Sequence, residues 1–190
     1  AAKDDTRPIL TGVLWEINEG KVSLVATDGY RLGVDKLSLS KTDLEKETRL
    51  ILPARSLQEI SKLLGETGDD DFSLEFDKSD QQVIFKVGEI EVSSRLIAGE
   101  FPPYQQIMPN TYSVKAEFGR EEILEAVKRA NLFARDNANI VKLTIQKESV
   151  VVKAESSQVG TSVSEVPAKV EGEGMTIAFN ARYLLDYLGI

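Results

Sequence analysis

This chain contains no cysteine and no histidine among its 190 residues. Without cysteine there is no disulfide framework and no thiolate metal site, which is compatible with a cytoplasmic location. Without histidine the commonest general base and the commonest zinc ligand are gone. An enzyme is therefore disfavoured, with chemistry left to carboxylates and lysines. No metal and no cofactor are expected. Long apolar runs are also missing. None approaches the roughly 20 residues of a membrane span, so no membrane partner is expected, and the opening A-A-K-D-D-T-R-P holds no apolar targeting core. Basic residues are the minority charge: 23 Lys and Arg stand against 31 Asp and Glu, a net of −8. A rule that looks for a basic domain argues against nucleic acid. The imbalance is uneven, however. Residues 1–112 carry −7 and residues 113–190 only −1, which leaves room for an acidic exterior with a local basic face.

Hydrophobic residues, at 42%, suffice for real cores. Ile9–Ile17 reads as a strand, followed by a turn at Asn18-Glu19-Gly20. Val22, Leu24 and Ala26 alternate with Lys21, Ser23 and Val25, the period of two of a half-buried strand. Leu32, Val34, Leu37 and Leu39 give another strand, and the slip in phase at Asp35-Lys36 predicts a bulge or bend. Leu50–Leu52 is a short strand stopped by Pro53. Ser56 then precedes Leu57, Ile60, Leu63 and Leu64 at helical spacing, with Gly65 placed to end the helix. Gly65–Asp71 reads as a polar loop and Lys78–Asp80 as a turn. Strands are predicted around Phe72–Phe76, Val83–Val87 and Ile90–Leu96. The segment Gly99–Asn110 carries three prolines and reads as an irregular connector between two domains, 1–110 and 111–190.

Beyond the connector the pattern restarts. Val114–Phe118 is a strand, Glu121–Arg135 a helix and Asp136–Asn139 a loop. Val141–Ile145, Val150–Val152, Val159–Val166 and Met175–Phe179 are strands, and Ala181–Ile190 begins a helix. The unit is a strand, a helix and three antiparallel strands, repeated. Three strand–helix joints align: I-L-P-A-R-S-L-Q-E from Ile51, E-F-G-R-E-E-I-L-E from Glu117 and A-F-N-A-R-Y-L-L-D from Ala178. They place Pro53, Gly119 and Asn180 in equivalent positions, and likewise Leu57, Ile123 and Leu184. The repeat predicts an α+β fold with antiparallel sheets. It also predicts that the chain is a fragment, lacking the strand and helix that would precede Ile9 and stopping inside a helix at Gly189-Ile190.

One stretch, V-A-T-D-G-Y-R-L at Val25–Leu32, combines a tight-turn dipeptide with a mixed rim. Asp28-Gly29 reads first as a hairpin turn, because glycine reaches positive φ without steric cost. Around it stand Thr27, Tyr30, Arg31 and Leu32, a polar, aromatic, cationic and apolar set suited to holding a peptide.

With L-T-G-V-L-W-E-I (Leu10–Ile17), F-P-P-Y-Q-Q-I-M-P (Phe101–Pro109) and F-N-A-R-Y-L-L-D (Phe179–Asp186), this stretch resembles the bacterial DNA sliding clamp family, the beta subunit of DNA polymerase III. The motifs occur in the family's order and spacing. They cover most of its middle domain and about two-thirds of its third. The resemblance implies the DNA-clamp (processivity) fold and a non-catalytic, cytoplasmic replication factor. Such a clamp is a homodimeric ring that encircles duplex DNA without sequence specificity and is opened by a clamp loader. It tethers the DNA polymerase III alpha subunit, other polymerases and repair proteins through a short peptide, roughly Gln-x-hydrophobic-x-Leu-Phe. The implied peptide site comprises Leu10, Thr27, Gly29, Tyr30, Arg31, Leu32, Pro102, Gln106 and Ile107, with Asn180 and Tyr183 at its far edge. Tyr30 and Gln106 depart from the family, which often has His and Arg there. Arg7, Lys62, Lys128, Arg129 and Arg135 are implied to face DNA, although each also reads as solvated surface charge. Leu132 and Phe133 are implied at the subunit contact, or read as core packing at a helix end. Two other readings stay open. One is a small-ligand enzyme with Asp28 and Arg31 as acid–base partners, disfavoured by the missing histidine and phosphate loop. The other is a generic peptide-binding module.

Overall fold

The computed structural model describes residues 1–2, 6–42, 46–68, 71–77 and 81–190. The predicted turn at Lys78–Asp80 and two residues of the loop at Gly65–Asp71 lie outside the described residues. The chain divides into two compact units, Ala1–Ile107 and Met108–Ile190.

In the first unit, β1 (Gly12–Asn18), β2 (Lys21–Thr27), β3 (Leu32–Ser38) and β4 (Thr48–Pro53) form an antiparallel sheet in the order β3-β2-β1-β4. Helix α1 (Ala54–Thr67) follows, then a second sheet of β5 (Ser73–Asp77), β6 (Gln82–Val87) and β7 (Ile90–Arg95). The β1–β2 hairpin turns through Glu19 and Gly20, both at positive φ (48° and 75°), the geometry that matches the twist of paired strands.

Strand β1 is buried on both faces. Trp15 and Ile17 join Val22, Leu50, Leu52, Ile60 and Phe85 in a core lined by α1 and β6. Leu14 points the other way, opposite Val25 and Ile51 in the register. With Tyr104 these residues make a second cluster, to which Ile9, Leu32, Val34, Ile97 and Phe101 add. The segment read as a connector is therefore the cover of this second face. It is also not wholly irregular: Tyr104–Ile107 forms a 3-10 turn, made possible because the four residues between Pro103 and Pro109 that it needs all have free N–H groups.

Two-sided burial explains the misread phase in β3. No bulge exists at Asp35-Lys36; the pairing with β2 runs unbroken from Thr27↔Leu32 to Lys21↔Ser38. Leu32 and Val34 pack on the Leu14 face and Leu39 on the Trp15 face, so the apolar pattern changes sides along a regular strand. Two further expectations are corrected. Ile9–Thr11 belongs to a 3-10 turn, Pro8–Thr11, not to β1. Pro8 is preset for a helical start, and the Thr11 hydroxyl donates to the Pro8 carbonyl at 2.7 Å. Ser56 lies inside α1, with its hydroxyl 2.7 Å from that of Ser94 on β7. Gly65 does not end α1. The helix continues to Gly68, whose φ of 72° and N–H to Leu64 carbonyl bond of 3.1 Å close the last turn.

The second unit is one five-stranded sheet, β12-β9-β10-β11-β8, carrying two helices. Its strands are β8 (Val114–Phe118), β9 (Ile140–Ile145), β10 (Ser149–Ser156), β11 (Gly160–Gly172) and β12 (Met175–Asn180). Its helices are α2 (Arg120–Ala134) and α3 (Ala181–Leu188). Strand β11 is longer than predicted and runs through Pro167. That proline sits at a changeover: residues up to Pro167 pair with β10 and those from Ala168 pair with β8, a place where a missing N–H is tolerated. The α2 stripe Ile123, Ala126, Val127, Ala130 and Ala134 is buried against Val141, Val150 and Val152.

The order β12-β9-β10-β11 repeats β4-β1-β2-β3 strand for strand. The three aligned joints are equivalent in detail. Pro53, Gly119 and Asn180 are the N-caps of α1, α2 and α3, all in extended backbone with ψ of 127°, 134° and 119°. Leu57 and Leu184 each pack, half-buried, against their unit's core, and Ile123 is fully buried in its own.

Phe85 is fully buried between α1 and the first sheet. Phe85→Ala is expected to destabilise the first unit by about 3–5 kcal/mol, read as a lowered urea midpoint for Trp15 fluorescence. An unchanged midpoint would place Phe85 outside the core.

Candidate functional site

The loop Asp28–Arg31 joins β2 to β3 and satisfies its own polar groups. The Asp28 carboxylate accepts the Tyr30 and Arg31 backbone N–H groups, each at 3.0 Å, on Oδ1, and the Arg31 guanidinium at 3.0 Å on Oδ2. The Thr27 hydroxyl donates to the Arg31 carbonyl at 2.7 Å and accepts the Gly29 N–H at 3.1 Å. This is an Asx-type loop closed by a charge-assisted bond. Partial burial pushes the Asp28 carboxyl up, but the Tyr30 and Arg31 amides and the Arg31 guanidinium outweigh it and hold it below the usual aspartate range. With both oxygens spent on the loop, Asp28 is a poor proton acceptor at neutral pH, which counts against the acid–base reading.

Gly29 has φ of 91°, and a Cβ there would stand 2.9 Å from the Arg7 guanidinium. Arg7 also donates to the Asp28 carbonyl at 3.3 Å. The glycine thus makes room for Arg7, and Arg7, expected to face DNA, braces this loop.

The remaining residues of the first unit divide by burial. Leu10 is 6% exposed and Leu32 half-buried, whereas Tyr30 at 81% and Ile107 at 70% stand in solvent, with Pro102 and Gln106 also exposed. Leu32 and Phe101 pack against the same Leu14–Val25–Ile51–Tyr104 cluster, which brings the end of the loop and the start of the 102–107 segment onto one apolar base. In the second unit the Asn180 side chain caps α3 by accepting the Arg182 N–H at 3.0 Å, and Tyr183 lies half-buried in the first turn. Two clefts lie elsewhere. One of about 560 Å³ runs past Glu16, Lys21, Lys36 and Glu47, and one of about 460 Å³ lies between Asp136 and Glu155. Within the first unit Tyr30, Arg31, Pro102, Gln106 and Ile107 are exposed candidates, a candidate ledge that lines neither cleft.

Of the residues expected at DNA, Lys62 pairs with Glu66 at 3.8 Å and Lys128 with Glu125 at 2.8 Å, Arg129 reaches the Ser164 hydroxyl at 3.4 Å, and Arg135 is exposed just beyond α2. Leu132 and Phe133 separate: Leu132 is 58% exposed, while Phe133 packs against the core of the second unit. Three residues that support the ledge were not anticipated from sequence. Glu16 accepts the Tyr104 hydroxyl and the Arg49 guanidinium, both at 2.6 Å. Motif Leu10–Ile17 contains Glu16 and motif Phe101–Pro109 contains Tyr104, but nothing in the spacing links positions 88 residues apart.

The Asp28 loop makes a pH prediction. A depressed carboxyl pKa gives stabilisation that is complete above the unfolded value and lost as pH falls through the folded one. The Tyr30 and Arg31 amide resonances are expected to titrate with a midpoint below the ordinary aspartate value of about 3.9. A midpoint at or above that value would contradict the hydrogen-bonded loop.

Comparison with known proteins gives one consistent result. The family model for the DNA polymerase III beta subunit, central domain, matches residues 1–103, and that for the C-terminal domain of the same subunit matches residues 105–190. A beta sliding clamp of Staphylococcus aureus is 36% identical over 186 residues, 97% of this chain and 48% of the relative. Among solved structures, the DNA polymerase III beta subunit of Thermotoga maritima is similar with a TM-score of 0.89 and 30% identity, over 100% of this chain and 50% of that one. The DNA polymerase sliding clamp of Bacillus subtilis gives 0.89 and 32%, with the same coverage. The chain spans about half the length of the curated relatives it matches. A fold of repeated antiparallel sheets and helices, family matches along both units and this degree of identity agree: the chain belongs to the DNA polymerase III beta subunit family, the bacterial sliding clamps.

Proposed function

We propose that this chain is the partner-docking portion of a non-catalytic replication processivity factor, with residues 1–110 acting as a middle clamp domain and 111–190 as a third. In this reading the assembled clamp encircles duplex DNA in the cytoplasm as a homodimeric ring. Replication and repair polymerases, and the clamp loader, bind through a linear peptide. The observation that carries the reading is the self-braced Thr27–Leu32 loop, which holds an exposed aromatic and a cation beside a half-buried leucine. A loop already ordered before binding loses little entropy on binding. Leu10 and Leu32 supply an apolar base for Leu and Phe anchors, and Thr27, Arg31 and Gln106 supply polar contacts. Lys62, Lys128, Arg129 and Arg135 supply cations for phosphate contact, which needs no base readout.

For this function, Arg31→Ala and Leu32→Ala are each expected to weaken binding of the peptide Gln-Leu-Ala-Leu-Phe by about 2 kcal/mol, measured by isothermal titration, with the fold retained by circular dichroism. Equal affinity in both variants and the parent chain would rule the ledge out as the peptide site.

The proposed subunit contact is tested by contrast. Leu132→Ser is expected to leave stability within about 0.5 kcal/mol and to lower association with clamp chains that carry the complementary surface. Phe133→Ser is expected to lower the melting temperature of the second unit, because Phe133 packs on its core. A stability loss on Leu132→Ser as large as that on Phe133→Ser would show that Leu132 is a core residue.

A further inference from the structure

The segment that presents Pro102, Gln106 and Ile107 has no strand partner. After Leu96 and Ile97, whose N–H groups donate to the Gln81 and Ile51 carbonyls at 2.8 and 2.9 Å, the backbone leaves the sheets. Two prolines remove donors at 102 and 103. The 3-10 turn at 104–107 is only four residues long, too short to be stable by itself. Something outside the turn must fix it.

Tyr104 is the one buried residue of that turn, at 7% exposure, while Gln105, Gln106 and Ile107 are exposed. Its ring lies in the Leu14–Val25–Ile51 cluster. Its hydroxyl donates to Glu16 Oε2 at 2.6 Å. Glu16 follows Leu14 by two on β1, so it projects from the same face and continues the apolar patch as a polar one. Arg49 stands directly opposite Glu16 in the β1–β4 register and grips Oε1 at 2.6 Å. Each carboxylate oxygen thus has its own donor, one from the sheet and one from the turn. Burial first, and then the Glu16 carboxylate, push the Tyr104 phenol up to about 12, so it remains a donor throughout the neutral range.

We propose that Tyr104 is a positioning residue for the peptide ledge: its hydroxyl, latched to the Glu16 carboxylate that Arg49 holds from the sheet, fixes the turn that presents Gln106 and Ile107. The proposal rests on the peptide-docking reading given above. A phenylalanine would fill the same apolar space, so packing alone does not require the hydroxyl. What the hydroxyl adds is direction, a charge-assisted bond across 88 residues of sequence that removes rocking of the turn about the ring. A wall that rocks must be immobilised by each arriving peptide, and affinity falls by that cost.

The test uses the whole 190-residue chain, with Tyr104→Phe and Glu16→Gln measured beside the parent and Arg31→Ala. The two readouts are titration with Gln-Leu-Ala-Leu-Phe and amide hydrogen exchange without peptide. The reporter amide is Gln106, which donates to the Pro103 carbonyl at 3.2 Å inside the turn. In Tyr104→Phe, Gln106 exchange is expected to accelerate by about tenfold and the peptide Kd to rise by about the same factor, the loss of one hydrogen bond to a charged group. The β1–β4 amides, such as those of Trp15 and Leu50, should keep parental exchange. Glu16→Gln, which retains an acceptor without the charge, should lie between parent and Tyr104→Phe. A role in global stability alone would accelerate all these amides together and leave the Kd of folded protein unchanged, and that result overturns the proposal. Unchanged Gln106 exchange in Tyr104→Phe overturns it as well. If Arg31→Ala weakens binding and Tyr104→Phe does not, the latch is wrong and the peptide site stands. If the parent chain shows no peptide binding, the docking reading fails and the latch falls with it.

Discussion

Burial of β1 on both faces is the constraint from which the first unit is built. One face of a half-buried sheet usually meets water. Here Trp15 and Ile17 face α1 and β6, while Leu14 faces a patch packed, among the described residues, by Ile9, Ile97, Phe101 and Tyr104. That patch is closed by short 3-10 turns and connecting chain. The Pro-rich stretch meets the need with two aromatic rings, Phe101 and Tyr104, which flank Pro102 and Pro103. The candidate ledge is a by-product of this closure. Once Phe101 and Tyr104 are turned inward, Pro102, Gln106 and Ile107 face outward on the same short segment.

The Asp28–Arg31 loop reaches a comparable rigidity by different means. It has little apolar burial of its own and relies on one carboxylate that organises three donors. Both parts of the ledge therefore depend on an acidic side chain holding backbone in place: Asp28 for the hairpin loop and Glu16 for the turn. In an acidic chain with a net of −8, two of the carboxylates most important to the site are internal struts and leave its outward charge to Arg7 and Arg31.

Much of this architecture was legible in the sequence, because period-two alternation and helical spacing report burial directly. The three strand–helix joints were aligned correctly at Pro53, Gly119 and Asn180, since each must supply an extended residue just before a helix. The misreadings have separate causes. Alternation identifies one buried face, so β3, with Leu32 and Val34 on one side and Leu39 on the other, imitated a bulge. A glycine near a helix end suggests a stop, yet Gly65 and Gly68 compete and only φ decides between them. Pro8 concealed a 3-10 turn inside an apolar run. The candidate ledge residues are those that the family resemblance implies. Their supports, Glu16, Arg49 and Tyr104, were not, because hydrogen bonds between residues 33 and 88 positions apart leave no periodic trace. The contact of Arg7 with the Asp28 carbonyl, 21 residues away, likewise left no trace in the spacing.

The most direct test of the account is a map of backbone amide shifts across the whole chain on addition of Gln-Leu-Ala-Leu-Phe. The account predicts saturable changes at Thr27, Gly29, Tyr30, Arg31, Leu32, Gln106 and Ile107 within the first unit. Changes confined to the cleft along Lys21, Lys36 and Glu47, or none at saturating peptide, would contradict it.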